Sequence, residues 1–333
     1  MLFLGILAQP QVSVIIPLYN HYQHINNSIQ SILNQTYENF NIIVVDDAST
    51  DDSYLVMKKI AKKEPKITVL QHEENRGPFQ ARLTALKNTT AEYVLFVDAD
   101  DYLNNDKILQ LAVDAALKHN ADCVQFSELL QNIEWTKPYL WGNPPAIGPQ
   151  RRHFMVQKWA ESGVGTALHG KLLSTAVLRE TLEFLGEEVT NRNIYYAEDL
   201  LVMLAFHQLS STYVGLKDVG YTYFDRFESS TERSAKTYSG AQRRADDTAF
   251  VVEQVMKYGM KKFRAQFKEQ IYYIFLNAFK TLDAKMLVSQ KSKICETYLN
   301  TKIVGNKRSQ MIIDEYCKSV KAKYAGMFSQ EEV

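Results

Sequence analysis

The chain has 333 residues, 46% of them apolar and 23% charged, with only 14 Gly and 8 Pro, a composition that excludes disordered, collagen-like and low-complexity classes. Thirty-eight basic residues balance 38 acidic ones, so no uniformly positive surface awaits nucleic acid, and any electrostatic partner must meet a local patch. The length exceeds what one core of typical size fills and predicts about two structural units.

The apolar opening, Met1 to Ala8, lacks a basic start and is far short of the roughly 20 residues that span a bilayer, so residues 1–11 read as an N-terminal extension. Val12 to Pro17 is a short β-branched run closed by proline, a buried strand leading into a loop. Ile25, Ile29, Ile32 and Leu33 then recur at helical spacing. The pattern repeats with a strand over Asn41–Val45, halted by Asp46-Asp47-Ala48-Ser49-Thr50-Asp51, and a helical face at Leu55, Ile60 and Ala61. Thr68–Leu70 and Tyr93–Val97 complete four strands. Continuous apolar strands separated by helices predict an α/β fold whose mostly parallel sheet is covered on both faces, and such sheets bind ligands at the carboxyl ends of their strands.

Polar residues stand at each of those ends: Tyr19-Asn20, Asp46-Asp47, Asn75-Arg76-Gly77 and Asp98-Ala99-Asp100-Asp101. From Gln131 to about Gly165 the periodicity dissolves into an irregular stretch, in which Trp135, Tyr139 and Trp141 either stack on a sugar or pin the loop to the body. Helical periodicity returns over Lys171–Leu182 and Asp199–Leu209. Beyond about Ser239 an apolar stripe that includes Phe250, Val251 and Val255 predicts helices. Residues 241–333 carry 17 basic against 10 acidic side chains and the first 240 carry 21 against 28, so a basic helical region, 239–333, follows an acidic body, 12–238.

The three cysteines, 123, 295 and 317, are odd in number and form no CxxC pair, which predicts no disulfide framework and fits a reducing cytoplasm. Two carboxylates leaving a strand end side by side, Asp98 and Asp100 with Asp101 beside them, repel one another unless a cation neutralises them. Mg2+ or Mn2+, which bridge carboxylates to substrate phosphates, suit that placement, and the plainer alternative is a solvated turn. Gly165 to Lys171 matches G-x-x-x-x-G-K, yet Leu172 stands where a phosphate loop needs Ser or Thr and no apolar strand precedes it. His21 and His24 are read as solvated imidazoles rather than metal ligands.

Ser13 to Asn20, Val44 to Asp51, Asn75-Arg76-Gly77 with Ala81-Arg82, and Val97 to Asp101 resemble, in order and spacing, the successive blocks of family-2 glycosyltransferases. The resemblance covers residues 12 to about 231 and implies a GT-A fold that transfers a sugar from a nucleotide diphosphate, usually with inversion. It places Pro17, Tyr19 and Asp47 around the nucleotide base with Asp46 supporting that turn, Asp98 toward the ribose, and the metal at Asp100 with Asp98 and Asp101. Ala197-Glu198-Asp199 resembles the family's E-D motif, so Asp199 is the expected general base and Glu198 its reserve; a plain acidic first helical turn is the competing account. Tyr223 to Thr231 resembles a closing Y-x-x-R segment, putting Arg226, and likewise Arg82, within reach of the diphosphate. The run His169-Gly170-Lys171-Leu172 is similar to a segment on the acceptor side, with Gly170 in place of its usual Asn.

The expected partners are a nucleotide-sugar donor, more a UDP sugar than a GDP or dTDP one, and a glycan or lipid-linked saccharide acceptor. A nucleotidyltransferase on a similar sheet and a non-catalytic nucleotide-sugar scaffold are the rival readings; the first wants a Gly-rich loop that Leu18 to Tyr22 lacks. Lysines and Arg264 interleaved with aromatics over 257–268 suggest either peripheral contact with an anionic membrane or a solvated outer face of a helix packed on the body or on a second copy.

Overall fold

The structure, a computed structural model, describes residues 9–132, 139–162, 166–225, 238–258 and 317–318. Their order begins β1 (Val12–Leu18), α1 (Ile25–Leu33), β2 (Phe40–Asp46), α2 (Ser53–Ala61), β3 (Ile67–Gln71), α3 (Gly77–Lys87) and β4 (Tyr93–Phe96). It continues through β5 (Tyr102–Leu103), α4 (Ile108–His119), β6 (Cys123–Asn132), β7 (Tyr139–Gly142), β8 (Gly148–Arg151) and α5 (Phe154–Ser162). The last described elements are β9 (Lys171–Ser174), α6 (Thr175–Thr190), α7 (Glu198–Leu209), β10 (Thr212–Asp225) and α8 (Tyr238–Tyr258).

The sheet runs β3-β2-β1-β4-β9-β6-β10-β5, with β7 beside β6 and β8 beside β10. β1 pairs in parallel with β2 and β4, and β2 with β3, as the apolar runs predict. Val12, Val14, Ile16 and Leu18 form one cluster with Ile25, Ile29 and Ile32 of α1 and Ile108, Ala112 and Val113 of α4; α3 packs on β1 and β2. β1 is thus buried on both faces, which is why its sequence shows no polar alternation.

Three readings need correction. Lys171–Leu182 is not one helix: Lys171–Ser174 is a strand, antiparallel to both β4 and β6, before α6 begins at Thr175 with the Ser174 hydroxyl accepting the Val177 N–H. An apolar run that short cannot be told from a helical turn by periodicity. The irregular stretch contains β7 and β8, both too short to impose a period, and the helix α5. Cys317 is disulfide-bonded, while Cys123 is a buried free thiol. Pairing of distant cysteines follows from the fold bringing their backbones to within about 7 Å, which spacing along the chain does not reveal.

Part of the expected extension is tied down: Asn39 donates to the Gln9 carbonyl, the Tyr37 hydroxyl to that of Pro10, and Glu92 accepts the Gln11 N–H. The described residues of 1–155, 167–194 and 206–225 form one compact unit; those of 156–166, 195–205 and 226–333 form another. Among the described residues no helix is long and apolar enough to cross a membrane.

Candidate active site

The carboxyl ends of β1, β2 and β4 carry the polar blocks, and backbone geometry sets how each side chain leaves its strand. Asn20 and Ala48 both take left-handed backbone angles (φ 58° each), turning the chain sharply after β1 and β2. The two turns are laced together. Asn20 Oδ1 accepts the N–H groups of Thr50 (2.8 Å) and Asp51 (3.3 Å), Ser49 Oγ accepts the Asn20 N–H (3.0 Å), and Ser53 Oγ that of His21 (2.9 Å). Tyr19 is left 40% exposed at the rim and Pro17 is half-buried beneath it.

Asp46 and Asp47 face inward, 0% and 2% exposed. Asp46 Oδ2 accepts the Ser49 N–H and the Gln71 amide, each at 3.2 Å, so it closes its own turn. Asp47 is committed at both oxygens: Oδ1 to the Arg76 N–H (2.9 Å) and the His72 ring (2.6 Å), Oδ2 to the Gly77 N–H (2.7 Å). The N–H groups at the start of a helix have no partner within it, and Asp47 supplies one for α3 from the neighbouring strand. His72 passes the contact on to Thr84 Oγ1 at 2.8 Å.

At the end of β4 the three aspartates separate. Asp98 remains partly exposed with Oδ1 accepting from Arg82 Nη2 at 2.8 Å. Arg82 is itself buried, its guanidinium 6.0 Å from the Phe96 ring centre, and it holds Asp98 in place. Asp100 is partly exposed, one oxygen 3.9 Å from His21 Nδ1. Asp101 turns back into the sheet, where Oδ2 accepts the Tyr221 hydroxyl (2.6 Å) and Oδ1 the Phe224 N–H (2.9 Å). Burial, with Asp100 and Asp98 close by, raises its pKa well above the usual carboxylate range.

Beneath this turn lies a buried group that the sequence did not point to. Tyr221, whose hydroxyl also accepts the Asp98 N–H, stacks on His169 with ring centres 4.8 Å apart. His169 Nδ1 is 3.4 Å from Glu128 Oε1, an ion pair without an aligned hydrogen bond. Gly170 has φ +65°, and a Cβ there would lie 1.8 Å from Glu128 Oε1, which explains glycine where the family resemblance leads one to expect Asn. Lys171 is buried and donates to the Ala167 carbonyl at 2.7 Å, a structural use that disposes of the phosphate-loop match. The β6–β10 register sets Tyr221 opposite Glu128, and a bridge from Phe96 places His169 just before β9, a meeting that chain order does not reveal.

Of the three carboxylates expected at a metal, Asp101 turns inward onto Tyr221 and Phe224, and among the described residues no three His, Cys, Asp or Glu side chains group to hold an ion. Asp98 and Asp100 at one strand end do fit an ion that takes one or two carboxylates and completes its shell with phosphate oxygens and water.

Glu198 and Asp199 form the first turn of α7 in the second unit, just after Ala197 with φ 61°. Glu198 is buried and Asp199 half-buried, which leaves Asp199 the more accessible of the two carboxylates. Arg226, Trp135 and residues 259–268 lie outside the described residues, as do the side chains of Tyr139 and Trp141.

Residues 13–168 match glycosyl transferase family 2. A glycosyltransferase of unassigned activity from Haemophilus influenzae is 37% identical over 31% of this chain and 41% of its own length. A Bacillus subtilis teichuronic acid biosynthesis glycosyltransferase, TuaG, is 38% identical over 30% and 40% respectively, so the chain spans less than half the length of either relative. The fold is that of S. aureus TarS, with a TM-score of 0.65 at 20% identity over 95% of this chain and 91% of that one; TarS is also solved with UDP-GlcNAc. A mannosyltransferase from Pyrobaculum calidifontis, solved with GDP-Man and Mn2+, follows at TM-score 0.51 and 18% identity over 96% and 84%. The GT-A sheet and the motif blocks along residues 13–168 thus make the chain similar to the family-2 glycosyltransferases.

Proposed function

We propose that the protein is an inverting glycosyltransferase that moves a sugar from a nucleotide diphosphate, a UDP sugar before a GDP one, to a hydroxyl of a glycan or lipid-linked saccharide. The observation that carries this reading is the turn after β4, where Asp98, fixed by Arg82, and Asp100, beside His21, stand partly exposed at a strand end rimmed by Tyr19. The likeness to TarS, solved with UDP-GlcNAc, favours uridine, and the likeness to TuaG, of teichuronic acid biosynthesis, favours a polysaccharide as acceptor.

In this reading Tyr19 and Pro17 flank the base, Asp46 and Asp47 set the loops around it, Asp98 meets the ribose, and Arg226 pairs with the diphosphate. Asp199 removes the proton from the acceptor hydroxyl as the sugar carbon is attacked from the face opposite the leaving group; Glu198 is the reserve. Mn2+ or Mg2+, held by Asp100 with Asp98, would supply positive charge against the departing diphosphate. Cytoplasmic placement belongs to the same proposal and rests on the free thiol of Cys123, with the disulfide at Cys317 as the observation against it. Self-association or membrane contact through 257–268 rests on sequence alone.

The test is release of nucleotide diphosphate from a panel of UDP, GDP and dTDP sugars, UDP-GlcNAc included. UDP release that EDTA abolishes and Mn2+ restores is expected. Asp199→Asn is expected to lower release at least 100-fold with donor affinity nearly unchanged. Full activity in chelator removes the metal from the reading, and near-normal turnover of Asp199→Asn moves the base to Glu198 or elsewhere.

A further inference from the structure

We propose that helix α8 is part of the catalytic apparatus, because Asp247, Arg243 and Arg244 hold the turn from which Asp199 emerges. The inference rests on reading Asp199 as the base, and every contact it uses lies within the second unit.

Asp247 is buried, and its Oδ2 accepts the backbone N–H of Tyr195 at 2.8 Å. The bond fixes main chain rather than a mobile side chain. One turn along the same helix, the Arg244 guanidinium lies 4.0 Å from the centre of the Tyr196 ring, and Arg243 lies 4.9 Å from that of Tyr195. Arg244 is buried, yet among the described residues its Nε and Nη1 have no hydrogen-bond partner. Burying a guanidinium without satisfying its donors is unfavourable, so the position is explained by what its face covers, the Tyr196 ring.

The next residue shows what this grip secures. Ala197 takes φ 61°, a left-handed conformation that an L side chain resists by roughly 1–2 kcal/mol and that survives where its surroundings over-determine it. Three contacts from α8 on the two preceding residues are such surroundings. Glu198 and Asp199 follow at once as the first turn of α7, so the direction in which Asp199 leaves the backbone is set by a turn that α8 clamps. Asp247 and Arg244 are therefore positioning residues for the base. A displacement of about 1 Å in such a group costs on the order of 100-fold in rate.

The experiment uses the full chain as wild type, Asp247→Ala, Asp247→Asn, Arg244→Ala, Asp199→Asn and the double variant Asp247→Ala with Asp199→Asn. Release of nucleotide diphosphate is followed with the panel donor that the wild type turns over; UDP affinity, melting temperature and hydrogen exchange of peptides covering 195–200 are measured alongside. Asp247→Ala and Arg244→Ala are expected to lower kcat about 10- to 100-fold with donor KM and UDP affinity unchanged, and to raise exchange over 195–200. Asp247→Asn, which keeps an acceptor oxygen, is expected to recover most of the lost kcat, and the double variant to be no slower than Asp199→Asn alone. A kcat within twofold of wild type for both alanine variants, beside an inactive Asp199→Asn, overturns the proposal, as does a parallel shift of kcat, KM and melting temperature. A near-normal Asp199→Asn overturns the assignment of the base instead; the exchange measurement still reads α8's hold on the turn, and unchanged exchange over 195–200 in Asp247→Ala overturns that hold by itself.

Discussion

Burial alone strips the proton from an imidazole, yet His169 keeps it: Glu128 at 3.4 Å, with Asp98 and Asp101 farther off, outweighs desolvation and pushes its pKa up to about 9. A folded pKa above the ordinary value of about 6.5 means that the contribution to stability is complete below pH 6.5 and is lost as pH rises through 9, about 3 kcal/mol in all. For Glu128 burial pushes the other way, but His169 and Lys171 hold it below the usual carboxylate range, so its contribution is present at neutral pH and is lost on acidification through that range. Urea unfolding is therefore expected to show wild-type stability falling between pH 7 and 9, and Glu128→Gln, which removes the largest cause of the raised His169 pKa, is expected to flatten that fall. An unchanged slope in the variant would mean that His169 draws its proton affinity from the aspartates above it. Nothing near His169 in the chain announces this pair, since Glu128 belongs to another strand and the local G-x-x-x-x-G-K spacing points to an unrelated chemistry.

The join between β2 and α3 depends on one carboxylate. Asp47→Ala leaves the N–H groups of Arg76 and Gly77 and one nitrogen of His72 without their acceptor, and buried orphaned donors cost roughly 1–3 kcal/mol each. A loss of about 3 kcal/mol in denaturant-measured stability is expected, with a smaller loss for Asp47→Asn; no loss would show that water replaces the carboxylate. The strands and helices of the first hundred residues were legible because strands buried on both faces are written as unbroken apolar runs, as in Val12–Leu18 and Phe40–Asp46. β9 was not, since Lys171 to Ser174 is a single short apolar pair continuous with a helix and its strand identity comes from β4 and β6 on either side. The same limit governs the carboxylates. Chain order places Asp46, Asp47, Asp98, Asp100 and Asp101 at strand ends, but whether each opens outward or folds under is decided by donors elsewhere: Gly77, Tyr221 and Phe224 for the ones that turned in.

Charge divides along the chain, with 17 basic against 10 acidic residues beyond position 240, and α8 shows how the described part of that region uses its apolar stripe: Phe250, Val251 and Val255 are buried. The proposed membrane contact falls to the basic and aromatic residues over 257–268. Near-surface lysines contribute about 1 kcal/mol each on anionic lipid, so the expected sign of such contact is cosedimentation with anionic vesicles that fades at high salt. Sedimentation that ignores lipid charge excludes it and leaves the region to intramolecular packing or self-association.

The late strand β9 carries a consequence for biogenesis. β4 and β6 are both finished before the ribosome reaches Lys171, yet neither pairs with the other; each borders β9. Throughout that interval the nascent first half of the sheet shows the open backbone edge of Tyr93–Phe96, an apolar strand of the kind that recruits other chains. Without β9 that edge stays unpaired, so a chain ending before Lys171 is expected to be cleaved by protease and to aggregate more readily than the full chain.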